Sequence, residues 1–176
     1  MGRNNQPPQE REPAPDRTLA FLVHDVSRLI KRRFDRYARQ AGLPLTRQQG
    51  VVVLYIARHE GVSQAEVATW LGVEPIALVR ILDRLHEEGV VERRAHPTDR
   101  RVRTLWLTPG ARPVVEQILA INRTIRQEAF IGLPPGTREA LIEGLAQVKE
   151  NLVVHEEAVD QSDAAAAALA ADHSAA

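Results

Sequence analysis

The chain has 176 residues, 44% of them hydrophobic, and a formal net charge of zero, enough apolar material for one buried core with appendages. It contains no cysteine, which excludes disulfides, thiolate zinc sites, thiol nucleophiles and thiol redox sensing. The longest uncharged apolar runs, VVVLYIA and AAAAALAA, fall far short of the roughly 20 residues of a membrane span, and the N-terminus is polar, so a cytoplasmic protein with no membrane partner is expected.

Residues 1–15 carry four prolines and almost nothing apolar, so the entropy of ordering them is not offset and a disordered arm is expected. Leu19, Leu22, Val23, Val26, Leu29, Ile30, Phe34 and Tyr37 recur at intervals of three and four. That spacing predicts a helix from about 16 to 41, stopped by Gly42 and Pro44. Thr46 can cap a second helix, about 47 to 59, with Val51, Val52, Leu54, Tyr55 and Ile56 as a broad buried face. Ser63 and Glu66 form the S-x-x-E pattern of a capping box and open a short third helix, which turns Val67, Ala68 and Leu71 inward before Gly72. Pro75 suits the first turn of a fourth helix that runs to Gly89.

After Gly89 the periodicity changes. VVERRA and VRTLWL alternate or carry β-branched and aromatic residues, and His96-Pro97-Thr98-Asp99-Arg100 between them is turn chemistry, so a β-hairpin is expected. Thr108 and Pro109 restart a helix of about 109 to 131, and LPPG then breaks the chain. Thr137 begins a last helix to about 159, with Leu141, Leu145, Val148 and Leu152 on one stripe. The alanine-rich acidic tail, 161–176, has no apolar stripe to dock and is expected to fray. The fold class is therefore mainly α with a small β-hairpin, in one domain of about 16 to 160.

Two short helices joined by Leu71-Gly72-Val73-Glu74 and followed by a hairpin describe a winged helix-turn-helix, about 46 to 108, between flanking helices. On the helix that starts at Pro75, Leu78, Ile81, Leu82 and Leu85 form the inward stripe, while Ala77, Arg80 and Arg84 face outward. Small and arginine side chains suit a thymine methyl or a guanine edge, which makes Arg80 the leading candidate for base readout. Ser63 and Gln64 are further candidate DNA contacts. Arg100, Arg101 and Arg103 project at the hairpin bend, where a narrow minor groove would attract them. Asp99 is expected to pair with Arg101 and stiffen the bend, leaving Arg100 or Arg103 to reach DNA. Charge is segregated along the chain: from Arg93 to Arg103 five arginines face Asp99 alone, a net +4, whereas from Glu139 onward the net is −7. Such segregation suits one face that meets a polyanion and another that does not.

The stretch LGVEPIALVRILDRLHEEGVVERRAHPTDRRVRTLWLT resembles the core of the MarR family, most closely its SlyA-like branch. It carries the D-x-R wing pattern at Asp99 and Arg101, the Leu-Thr that closes the second wing strand at Leu107 and Thr108, and D-R-L-x-x-x-G from Asp83 to Gly89. It departs from many relatives at Ile76 and Ala77, where they carry hydroxyl or amide residues. The resemblance implies a homodimeric transcriptional regulator whose first and last two helices are dimerisation helices, and whose release from DNA follows binding of a small phenolic or aromatic carboxylate. His24, Ser27 and Arg28 on the first helix, with Gln48 on the second, would line such a pocket. Relatives that bind salicylate-like acids carry an aromatic residue where Gly50 stands and a histidine where Leu54 stands. Independently of the resemblance, Ile118, Ile121, Ile125, Ile131, Leu141, Leu145, Val148 and Leu152 offer more apolar surface than one small winged domain needs. A two-fold partner would cover it and set two reading helices about one DNA turn apart.

The histidines show neither H-x-x-x-H nor a carboxylate cluster at ligand spacing, His155-Glu156-Glu157 being the one arguable exception, so neither a metal nor another cofactor is expected. There is no glycine-rich phosphate loop and no G-x-S-x-G, so no enzyme is expected. Trp70 and Trp106 are read as packing residues. The resulting expectation is a sequence-specific DNA-binding regulator, a repressor at a pseudo-palindromic operator in double-stranded DNA, released by a small aromatic effector. The competing reading is a winged-helix protein-interaction module that does not bind DNA.

Overall fold

Helix boundaries follow the caps that the sequence encodes. The computed structural model describes residues 14–96, 98–99 and 102–173, with side chains as far as His155, and divides after Glu128 into two units. The expected N-terminal arm lies almost wholly outside the described residues.

In the first unit a 3-10 turn at Pro15–Arg17 leads to Thr18, whose hydroxyl accepts from the Phe21 amide and starts α1 (Leu19–Gln40). Thr46 starts α2 (Arg47–Arg58) through a reciprocal capping box with Gln49. Two extended residues, β1 (Val62–Ser63), lead into α3 (Gln64–Leu71), where the Ser63 hydroxyl accepts from the Glu66 amide and the Ser63 amide donates to the Glu66 carboxylate. Gly72 adopts φ +63°, a left-handed conformation that glycine enters without a Cβ penalty, and the chain turns into α4 (Pro75–Glu87). The hairpin is β2 (Val91–Ala95) and β3 (Arg103–Leu107). A second 3-10 turn, Pro109–Ala111, precedes α5 (Arg112–Ala129), which therefore begins later than the expected 109.

The three strands are antiparallel in the order β1-β3-β2, with Val62 opposite Leu105 and Ala95 opposite Arg103. β1 was not expected: two residues carry no periodicity, and only pairing with β3 makes them a strand. Along β2 burial falls from Val91 at the base of the hairpin to Ala95 towards its tip, where Arg103 opposite is exposed too, so the end of the wing stands in solvent.

One buried cluster joins Phe34 and Ala38 of α1, Val52, Val53 and Ile56 of α2, Val67 and Ala68 of α3, Leu78, Leu82 and Leu85 of α4, and Val91 and Leu105 of the strands. On α2 the inward stripe is 49, 52, 53 and 56, and Val51, Leu54 and Tyr55 are only half-buried. Ile118, Ile121 and Ile125 of α5 also lie in this cluster. They close the core of their own chain, which corrects their assignment to a dimer surface. The Glu128 carboxylate ties α5 to α1 by accepting from Arg33 at 3.0 Å and from the Tyr37 hydroxyl. By contrast Leu19, Phe21, Leu22, Val23, Val26 and Leu29 of α1 remain about half exposed.

In the second unit the Arg138 guanidinium donates to the Leu133 carbonyl at 2.7 Å beside the start of α6 (Pro135–His173). The helix begins at Pro135, two residues before the expected Thr137, and proline is suited to a first turn. It continues as helical backbone to His173, past the expected end near 159 and through the stretch expected to fray. Alanine has the highest helix propensity, and a continuing helix needs no docking stripe to propagate.

At Gly50 α2 packs tightly on α1: a Cβ built there would lie 2.9 Å from Cζ of Phe34, whose ring is fully enclosed. Gly50→Val should destabilise the protein by about 2 kcal/mol, as overpacking does, lowering the urea midpoint. The Glu66 carboxyl is held below its ordinary range by hydrogen bonds from the Ser63 side chain and backbone. With the folded value below the unfolded one, this cap contributes fully above about pH 4.3 and is lost as pH falls through the lowered value. The stability difference between the parent and Glu66→Gln should accordingly shrink on acidification, read by denaturation at a series of pH values.

Candidate nucleic-acid interface

The three leucines of α4 occupy one side of the helix, so the opposite stripe falls at Ile76, Arg80, Asp83 and Glu87, spaced four, three and four. Ala77, Arg80 and Arg84 are all exposed, the orientation expected for a reading face. Ile76, already singled out as a departure from relatives, is exposed as well, and so is Val79, which sequence reasoning did not single out. Two bonds lock α4 to the wing. Arg93 of β2 donates to the Asp83 carboxylate at 2.6 Å, and Nδ1 of His86 lies 3.0 Å from the Val91 carbonyl. At the wing base the Thr108 hydroxyl donates to the Gly89 carbonyl at 2.6 Å. Asp83, Gly89 and Thr108 thus have structural work in the module, and the Asp83–Arg93 pair was not foreseen.

The arginines of this region divide into occupied and unoccupied ones. Arg84 is drawn to Glu87 at 3.2 Å and Glu88 at 3.0 Å on its own helix. Arg94 pairs with Glu92 and lies 4.5 Å over the Trp106 ring. Arg93 is held by Asp83. The +4 counted along Arg93 to Arg103 therefore overstates the free charge, because Asp83 and Glu92 lie outside that window. Among the described residues, Arg80 and Arg103 are the cations of α4 and the wing strands that form no ion pair, and both are exposed. Arg100 and Arg101 lie outside the described residues, and with them the expected Asp99–Arg101 pair. The bend between the strands is bridged by His96 N–H to the Val102 carbonyl and Val102 N–H to the Asp99 carbonyl.

Ser63 and Gln64, at the start of α3, are half-buried, and the Ser63 hydroxyl accepts from the Glu66 amide. Trp106 is half-buried and donates from Nε1 to the Thr104 hydroxyl at 3.0 Å, whereas Trp70 is exposed and stacks on Tyr55 at 4.0 Å.

The candidate effector residues are all exposed on helix surfaces. His24, Ser27 and Arg28 are exposed on α1, Arg28 paired with Asp25 at 2.7 Å, and Gln48 is exposed on the first turn of α2. One open cleft lies between the end of α2, the wing base and the first turn of α5, at Ala57, Arg94, Leu107 and Arg112, and another lies along α5 at Leu119, Arg123 and Arg126. The space beside position 50, aromatic in salicylate-binding relatives, is closed by the Phe34 ring. Among the described residues no group of three histidine or carboxylate side chains could hold a metal, and no helix is long and apolar enough to cross a membrane.

A family model described as MarR family matches residues 43–102, the span from the start of α2 to the wing bend. A crystal structure of MarR aligns with TM-score 0.74 at 26% identity, covering 81% of this chain and 95% of that one. A mutant of MarR from E. coli, complexed with operator DNA, aligns with TM-score 0.65 at 30% identity over 74% of this chain and 92% of that chain. The transcriptional regulator SlyA aligns with TM-score 0.65 over 74% of this chain and 93% of that chain, at 22% identity, a likeness of fold. With α4 and the wing disposed as a winged helix-turn-helix, and with the operator-bound MarR matched at 30% identity over nearly its whole length, the chain belongs to the MarR family of transcriptional regulators.

Proposed function

We propose that the chain binds double-stranded DNA sequence-specifically, as a two-fold dimer on a pseudo-palindromic operator. As a member of its family it is a regulator of transcription and not an enzyme. The observation that carries the proposal is the pair of exposed arginines without an ion pair among the described residues, Arg80 on the outward stripe of α4 and Arg103 on the wing. Arginine on a guanine O6 and N7 is the commonest specific major-groove contact, and arginine in a narrow minor groove gains from the negative potential there. In this reading Arg80 reads a base, and Arg103, with Arg100 and Arg101 beyond it, enters the minor groove. Ala77 lies along a thymine methyl, while Ser63, Gln64 and Arg84 position the module on phosphates.

A second copy would cover the exposed apolar residues of α1, such as Leu22, Val26 and Leu29, and those of α6, such as Leu141, Leu145 and Leu152. Two-fold symmetry then sets the two α4 helices about 34 Å apart, one turn of DNA. The same reading makes the protein a repressor that a small aromatic or phenolic carboxylate releases. Arg28 would supply the cation, and His24, Ser27 and Gln48 the hydrogen bonds.

Arg80→Ala should weaken binding to the DNA upstream of the protein's own gene by tenfold or more, the scale of about 1–3 kcal/mol for one bidentate contact. Affinity for scrambled duplex should change little, both followed by gel-shift titration at two salt concentrations. If the variant binds every duplex as the parent does, Arg80 does not read a base. Leu22→Asp combined with Val26→Asp should convert a dimer to a monomer in sedimentation equilibrium while helical content is retained. An unchanged mass would remove α1 from the dimer interface.

A further inference from the structure

The outward face of α4 begins with side chains that cannot form a hydrogen bond. Ile76 is 71% exposed and Val79 41% exposed, and Ala77 between them is exposed too. The first donor on this face is Arg80, four residues beyond Ile76 and on the same line of the helix. A single exposed apolar residue ordinarily needs no explanation, but Ile76 stands where a reading helix meets base edges, at its N-terminal end. It adds nothing to the start of the helix, which Pro75 already provides, and isoleucine has lower helix propensity than arginine, lysine, glutamine or glutamate.

The major groove constrains what such a face can accept. Guanine, adenine and cytosine present N7, O6 or amino groups, which lose their water against an apolar surface without compensation. Thymine alone among the four bases presents a methyl group there. We infer that Ile76 is a specificity-determining residue that reads a thymine through its 5-methyl group, beside the guanine read by Arg80. The inference rests on the DNA-binding reading above. Four residues of helix rise about 6 Å, less than two base-pair steps of about 3.4 Å, so the thymine lies within two base pairs of that guanine.

Duplexes selected from a random pool by the full-length protein supply the site. The guanine of Arg80 is the position whose replacement no longer matters in Arg80→Ala. Each thymine is then replaced by deoxyuridine, which lacks only the methyl, and affinity is measured by fluorescence anisotropy for the parent, for Ile76→Ala and for Ile76→Ser. One thymine per half-site, within two base pairs of that guanine, should show about a fourfold loss with the parent, the scale of one buried methyl, which disappears in Ile76→Ser and shrinks in Ile76→Ala, whereas a thymine beside Ala77 keeps its penalty in both variants. Both variants should melt as the parent does, since Ile76 supports no core. Three results overturn the inference: uracil tolerated at every position, every penalty retained unchanged in both variants, or a selected site with no thymine within two base pairs of that guanine. If no sequence is enriched at all, the DNA-binding reading itself fails, a result distinct from these.

Discussion

Leu78, Leu82 and Leu85 of α4 are enclosed in the same cluster as Val91 and Leu105 of the wing, so the helix and the hairpin share one core. Each fully buried leucine contributes about 1.5–3 kcal/mol relative to exposure, far more than any surface contact nearby. That burial fixes the rotation of α4 about its own axis. With one side committed inward, Ile76 and Arg80 have to face outward, and the Asp83–Arg93 bond sets the wing beside them. Presentation of the outward face is thus a by-product of packing on the opposite side.

Charge on this face is organised by which arginines are already answered. The pairs of Arg84 with Glu87 and Glu88 are exposed, and exposed pairs are worth about 0–1 kcal/mol. A phosphate oxygen can replace those carboxylates at small cost, so Arg84 is suited to positioning rather than to reading. Arg94 is engaged twice, by Glu92 and by the Trp106 ring, and braces the wing. An arginine count along the chain therefore describes composition, and the cationic surface emerges only after these internal pairs are removed.

What was legible in the sequence was whatever is encoded locally. The boxes Thr46 with Gln49 and Ser63 with Glu66, the left-handed Gly72 and the inward leucines of α4 each involve residues within a few positions of one another, and each stands as expected apart from the partner Gln49. What failed was nonlocal. β1 exists only through β3, Arg93 finds Asp83 ten residues away on another element, and an apolar stripe such as Ile118, Ile121 and Ile125 looks the same whether it faces its own chain or another. The outward position of Ala77, Arg80 and Arg84 followed from helical periodicity, whereas the internal partners of Arg84 did not. Residues chosen for an effector by resemblance, His24, Ser27, Arg28 and Gln48, stand exposed on helix surfaces.

The stack of Trp70 on Tyr55, at 4.0 Å and 26° between ring planes, joins α3 to α2 across the front of the helix-turn-helix. The chain has only two tryptophans, and the other, Trp106, lies in the wing. Ultraviolet emission excited at the red edge of protein absorption thus originates wholly from the winged module and not at all from the terminal helices. The molecule carries an intrinsic optical reporter whose two emitters sit on α3 and on the hairpin, the elements flanking α4 in sequence. A shift in their emission when another molecule is added would register a disturbance of this region without any attached dye.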